Sequence, residues 1–141
     1  MLNKIPKILS PDLVHVLMDM GHGEEIVIAD ANFPGAEFND HVLRADGHGI
    51  PEILGAILEL MPLDPYNDWQ FALMNTLGDD PTPEIWPTYR TIIESAEPEH
   101  HTEGHFDRFD FYEQARKARA VLITGETALY GNIILKKGVV L

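Results

Sequence analysis

Cysteine is absent from the 141 residues, which excludes a disulfide framework, a thiolate metal site and a cysteine nucleophile, and leaves the fold to rest on packing. Positive charge is scarce as well: 10 Lys and Arg stand against 23 Asp and Glu, a formal net charge of -13. A field of that sign repels phosphate backbones, whose affinity for protein comes from clustered Lys and Arg, so nucleic acid is not an expected partner. No apolar run approaches the roughly 18 residues that a bilayer span requires. Near the amino terminus, Pro6, Ser10, Pro11 and Asp12 interrupt any leader-like stretch around Lys4 and Lys7. A soluble, cytoplasmic chain without a membrane segment is the expectation. Gly21 to Gly23 supplies only the first half of a dinucleotide fingerprint, and neither a phosphate loop nor a serine elbow occurs. Whatever chemistry the chain performs must run on proton transfer.

What is present is enough for one domain, residues 1–141, since 45% of the chain is hydrophobic and no linker, repeat or low-complexity tract divides it. Ser10, Pro11 and Asp12 open a helix with a capping hydroxyl, a first-position proline and an acidic first turn. Leu13, Val14, Leu17 and Met20 continue it at helical spacing up to Gly21. Ile26 to Ala29 reads as a buried strand that delivers Asp30 at its carboxyl end. A loop from Ala31 to Asn39, a short strand at Val42 and Leu43 and an apolar helix over Ile50 to Leu60 follow. Beyond these come a strand over Trp69 to Met74, irregular chain from Gly78 to Pro87, and a helix over Thr88 to Ser95. Glu97 to Gly104 is polar and reads as a solvated loop. A helix from Arg108 to Arg119, a strand over Ala120 to Thr124 and one or two terminal strands in Asn132 to Leu135 and Val139 to Leu141 complete the chain. Helices alternating with short apolar strands predict an α/β layer architecture with a mostly parallel or mixed sheet.

Among the residues able to carry chemistry, His22 stands between Gly21 and Gly23, just past a helix end. Its side chain exchanges protons near neutral pH, and the alternative role is to cap the preceding helix. Two flanking glycines exceed what a cap needs. Asp30 faces the end of the sheet where α/β proteins bind ligands, or else closes an Asx-type turn. His22 and Asp30 are expected near one edge of the sheet. Arg108 opens a helix, where a cation opposes the helix dipole and calls for a partner. Tyr130, Gly131 and Asn132 offer a phenol, a close backbone approach and an amide, a set suited to hydroxyl-rich ligands. Trp69 and Trp86 are candidates for an apolar wall. His100, His101 and His105 with Asp107 invite a metal reading, but their spacing matches no established zinc pattern, and no metal is expected.

Three segments together resemble the RbsD/FucU family of sugar mutarotases over nearly the whole chain: Ile8 to Leu13, Met20 to Pro34, and Gly125 to Val139 with its Gly-Glu-Thr-Ala-Leu-Tyr-Gly-Asn core. The resemblance implies a three-layer α/β/α fold, catalysis without a cofactor, and ring-shaped homo-oligomers, often decamers, with sites formed between adjacent subunits. It further implies that His22 is the catalytic proton donor and Asp30 the sugar-binding carboxylate, which helps to move the proton. Arg108, Tyr130, Gly131 and Asn132 are implied to bind a monosaccharide. Arg108, followed by Phe109 and Phe111, looks like the fucose-type branch, so L-fucose or a related aldose is the implied substrate. A ribose-type pyranase and a non-catalytic sugar-binding protein stay open at this stage.

Overall fold

The computed structural model describes all 141 residues. Five helices and six strands alternate in chain order up to β5, which β6 follows directly: α1 (Pro11–Asp19), β1 (Glu25–Ala29), α2 (Gly35–Phe38), β2 (Val42–Ala45), α3 (Ile50–Leu58), β3 (Phe71–Met74), α4 (Ile85–Ala96), β4 (Glu103–Phe106), α5 (Arg108–Lys117), β5 (Ala120–Thr124) and β6 (Ile133–Lys136). The cap expected at Ser10 forms, its hydroxyl accepting from the Leu13 N–H at 3.2 Å.

The strands make one sheet in the order β2-β5-β1-β6-β3-β4. β6 runs antiparallel to both of its neighbours, and the other strands share one direction. Helices cover both faces, which is why β1, β3 and β5 are apolar without alternation. On one face Ile26 and Ile28 pack with Leu13 of α1, Ile53 of α3 and Tyr89 of α4. On the other, Val27 and Ala29 pack with Phe33 and with Phe111 and Ala115 of α5. The result is the three-layer α/β/α arrangement with a mixed sheet that the sequence implies.

Connectivity locates the site. From β1 the chain goes out to β2 on one flank, and from β2 it crosses to β3 on the other. The carboxyl ends of β1 and β3 therefore lie on either side of β6, and chain departing in opposite directions leaves a crevice there.

Four local expectations need correction. Glu103 and Gly104, expected to end a loop, open the edge strand β4, paired through Phe71↔Glu103 to Met74↔Phe106. An edge strand needs only one partner and one covered side, so it carries little apolar signal. Gly104 is required there, since a Cβ would stand 2.9 Å from the Trp69 ring. Gly35 to Phe38 is a single helical turn too short to show a period. α4 begins at Ile85, ahead of Pro87, because the first helical turn leaves its N–H groups unpaired and tolerates proline. Val139 to Leu141 is exposed and forms no strand. Gly138 donates instead to the Pro62 carbonyl at 2.7 Å, which takes the chain off the sheet after β6.

Candidate functional site

At the carboxyl end of β1 a cavity of about 240 Å³ is lined by Asp30, Phe33, Arg108, Tyr112, Tyr130 and Asn132, among others. β1 delivers Asp30, α5 begins at Arg108, and the turn into β6 brings Tyr130 and Asn132. Asn132 accepts from the Asp30 N–H at 2.8 Å, and Asp30 accepts from the Asn32 N–H at 2.9 Å. Asp30 thus closes an Asx-type turn and also faces the cavity, so its two readings hold together. Burial pushes its carboxyl above the usual carboxylate range, and the nearby Glu126 adds to that while the Asn32 amide opposes it.

Arg108 donates to the Tyr112 hydroxyl at 3.0 Å and has no carboxylate partner. Its remaining guanidinium donors stay free for a ligand. Tyr130 adopts a left-handed backbone, φ 56°, unusual for a side chain of that size. Two side chains of α4 hold the kink: Trp86 donates to the Tyr130 carbonyl at 3.0 Å, and Tyr89 donates to the Gly131 carbonyl at 2.7 Å. Gly131 does not line the cavity. Its N–H goes to Ala128, and a Cβ there would stand 2.9 Å from the Ala128 carbonyl.

His22 lies elsewhere. It precedes β1 while Asp30 follows it, and four steps of strand at about 3.3 Å each place the ends of β1 roughly 13 Å apart. The expectation that the two groups share one sheet edge is therefore wrong within a single chain, because a strand in between sends them to opposite ends. What His22 does meet is Asp64, its Nε2 lying 3.0 Å from Oδ1. Asp64 is fully buried and also accepts from the Tyr66 N–H at 3.0 Å and from the Asn67 amide. Burial raises its carboxyl, but the Tyr66 amide, the His22 ring and Asn67 together hold it below the usual range. A carboxylate only accepts, so His22 carries its proton on Nε2 and presents Nδ1 outward. The imidazole side chain keeps 48% of its surface exposed. Gly23, φ 81°, makes the turn from this imidazole into β1. A buried carboxylate that fixes the tautomer and steadies the imidazolium is the arrangement general acid/base catalysis uses.

Sequence reasoning therefore named Asp30, Arg108, Tyr130 and Asn132 of the cavity and the imidazole, but missed Phe33, Tyr112 and Asp64. Nothing marks Asp64 among Pro65, Tyr66, Asn67 and Asp68 as more than a turn residue. Neither tryptophan forms the expected wall: Trp86 is a buried hydrogen-bond donor, and Trp69 packs beneath the Lys136 ammonium, 3.7 Å from the ring centroid. Phe33 and Tyr112 supply the apolar side instead. His101 bonds the Glu97 carbonyl and His105 sits between Glu103 and Asn75. No group of three acidic or histidine side chains is placed to hold a metal. A larger groove of about 760 Å³ runs between the N-terminal segment and α1, apolar through Leu2, Ile5, Ile8 and Met18. It lacks the convergent polar groups of the cavity at Asp30.

The model of the RbsD / FucU transport protein family matches residues 3–140. A fucose mutarotase of Mus musculus is 48% identical, covering 97% of this chain and 94% of its own length. An L-fucose mutarotase of Histophilus somni is 44% identical, covering 99% and 97%. Among solved structures, the fucose mutarotase of Streptococcus pneumoniae in complex with L-fucose is 53% identical and superposes with a TM-score of 0.95, over 99% of this chain and all of that one.

Proposed function

The chain belongs to the RbsD/FucU family, and from that premise we propose that it is an isomerase interconverting the α and β anomers of L-fucose or a closely related aldose. The observation that carries the reading is the single cavity gathering Asp30, Arg108, Tyr130 and Asn132, in a chain 53% identical to a protein solved with L-fucose.

The chemistry follows from the hemiacetal. A base takes the proton of the anomeric hydroxyl while an acid protonates the ring oxygen, the bond from the anomeric carbon to the ring oxygen breaks, and an aldehyde forms. Rotation beside the carbonyl and closure on its other face give the second anomer. Asp30, Arg108, Tyr130 and Asn132 fix the hydroxyls through one carboxylate, one guanidinium, one phenol and one amide. His22, with Nδ1 outward and Asp64 behind it, is the acid/base group. Positioned proton transfer supplies about 10² to 10⁴ in rate, sufficient for a reaction that also proceeds in plain water.

His22 and the cavity lie at opposite ends of β1, so a complete site takes its cavity from one subunit and its imidazole from another. Three features support that assembly. The cavity is open on one side, with Arg108 exposed and Tyr130 only half-buried in its lining. Leu129 in the cavity lining, Phe109 beside Arg108 and Tyr66 beside His22 are large side chains that all stand exposed and await cover. The apolar groove along α1 offers further contact area. A homo-oligomer, a ring of ten by the family resemblance, acting in the cytoplasm, completes the proposal.

Magnetization-exchange NMR on equilibrated L-fucose and D-ribose tests it. Exchange between the fucose anomers faster than in buffer is expected. Binding of fucose with exchange at the buffer rate would leave a sugar-binding protein, and acceleration confined to ring-size exchange of ribose would leave a pyranase.

A further inference from the structure

Tyr130 is gripped at its phenol by a segment the mechanism has not used. Leu77 to Asp80 forms a tight turn between β3 and α4, closed by the Asp80 N–H on the Leu77 carbonyl at 3.1 Å. Gly78, φ 56°, permits it. Both ends of this turn reach the same oxygen: the Leu77 N–H donates to the Tyr130 hydroxyl at 3.3 Å, and that hydroxyl donates to the Asp80 carboxylate. A phenol has one O–H and two lone pairs. With the proton on Asp80 and one lone pair on Leu77, a single lone pair is left.

We propose that Asp80 is a positioning residue for the reaction, which acts through Tyr130 by holding the phenol proton and so presenting the phenol oxygen to the sugar as an acceptor only. A free phenol rotates between donor and acceptor roles. One anchored on a carboxylate accepts from a sugar hydroxyl, and the charge-assisted bond behind it makes the oxygen a stronger acceptor. Arg108 lines the same cavity as a pure donor, so the two residues read complementary parts of a hydroxyl pattern. The charged groups acting on the phenol are Asp80 from the turn and Arg108 from α5, the first raising its pKa and the second lowering it.

This inference rests on the mutarotase reading, and its test separates the two. The wild type, Asp80→Asn, Tyr130→Phe and the double variant are compared by anomer exchange, and in the wild type and Asp80→Asn the Tyr130 ring is titrated by ¹³C NMR without sugar. Asp80→Asn keeps an acceptor and loses only the charge, so the loop stays folded. It is expected to lower kcat/KM roughly tenfold or more, since the bond that orients the phenol loses its charge assistance. In the Tyr130→Phe background the same change is expected to cost less than about twofold, the mark of residues acting as a unit. The Tyr130 titration is expected to move to lower pH in Asp80→Asn. Losses that multiply independently, or an unmoved titration, overturn the proposal. If the wild type does not accelerate exchange, the mutarotase reading fails by itself, and the same cycle read from L-fucose affinity, with the titration, decides on Asp80.

Discussion

A site divided between subunits has a consequence that a site within one chain does not: two inactive variants restore each other. His22→Gln removes the acid/base group while glutamine still donates to Asp64, and Asp30→Asn removes the cavity carboxylate while keeping its shape. Each alone is expected to lose about 10² to 10⁴ in rate. Neither fold is at risk, since His22 is half exposed and the asparagine oxygen still accepts from the Asn32 N–H.

Co-expressed in equal amounts, the two chains assemble at random. Half of the cavities keep Asp30, and half of those meet an intact His22, so on the order of one quarter of wild-type activity returns, in a dimer or in a larger ring. Repair within either chain is excluded, because neither variant carries both His22 and Asp30. The assay is anomer exchange on purified mixed oligomers, beside each variant alone and a mixture combined after assembly. Mixed oligomers of native size with activity no higher than the separate variants would refute the divided site, and with it the placing of His22 in the reaction.

Three further outcomes are expected. Asp64→Asn should lower kcat roughly tenfold or more with little change in KM, since a charge-assisted bond of about 1.5–3 kcal/mol orients the imidazole. The Asp64 carboxyl is held below its ordinary value, so its stabilisation is present above the unfolded value of about 3.9 and is lost as pH falls through the lower folded value. Urea midpoints measured through the acid range should show that loss in the wild type and not in Asp64→Asn. Asp30 behaves oppositely: burial raises its folded pKa, so its contribution is most favourable at low pH and declines as pH rises through that value. Asp30→Asn should therefore be more stable than the wild type at neutral pH, converging with it in acid, while losing activity. A neutral-pH denaturation showing no gain would place the carboxylate in a better solvated environment than its burial indicates.

The sequence made the centre of the fold legible and its margins less so, for physical reasons. β1 and β5 announce themselves because helices cover both faces and leave no polar alternation. β4 at the edge holds a glycine and a histidine that a solvated loop holds equally well, so only pairing with β3 identifies it. Of the site, the Tyr130 to Asn132 turn and Asp30 were readable because each breaks an apolar run with hydrogen-bonding groups. Asp64 was not, since it meets His22 across 42 positions and carries no local pattern. His22 and Asp30 look close because only seven positions separate them, but the five residues of β1 that lie between are extended and span roughly 13 Å.

That strand explains why His22 and the cavity are so far apart and yet rigid with respect to each other. β1 and β6 pair from Glu25↔Lys136 to Ile28↔Ile133 at the middle of the sheet, with the core packed on both sides. At one end of this pair stand His22 and, after the turn, Gly23 with its left-handed backbone. At the other stand Asp30 and the left-handed Tyr130. A left-handed tyrosine costs roughly 1–2 kcal/mol and survives only where its surroundings dictate it. Trp86 and Tyr89 do so from below, and Leu77 and Asp80 do so at the phenol. The strain sits at the Tyr130 end alone, since glycine takes a positive φ freely, and under the proposed reading this rigid pair serves catalysis when a second copy brings its His22 end to the cavity of the first.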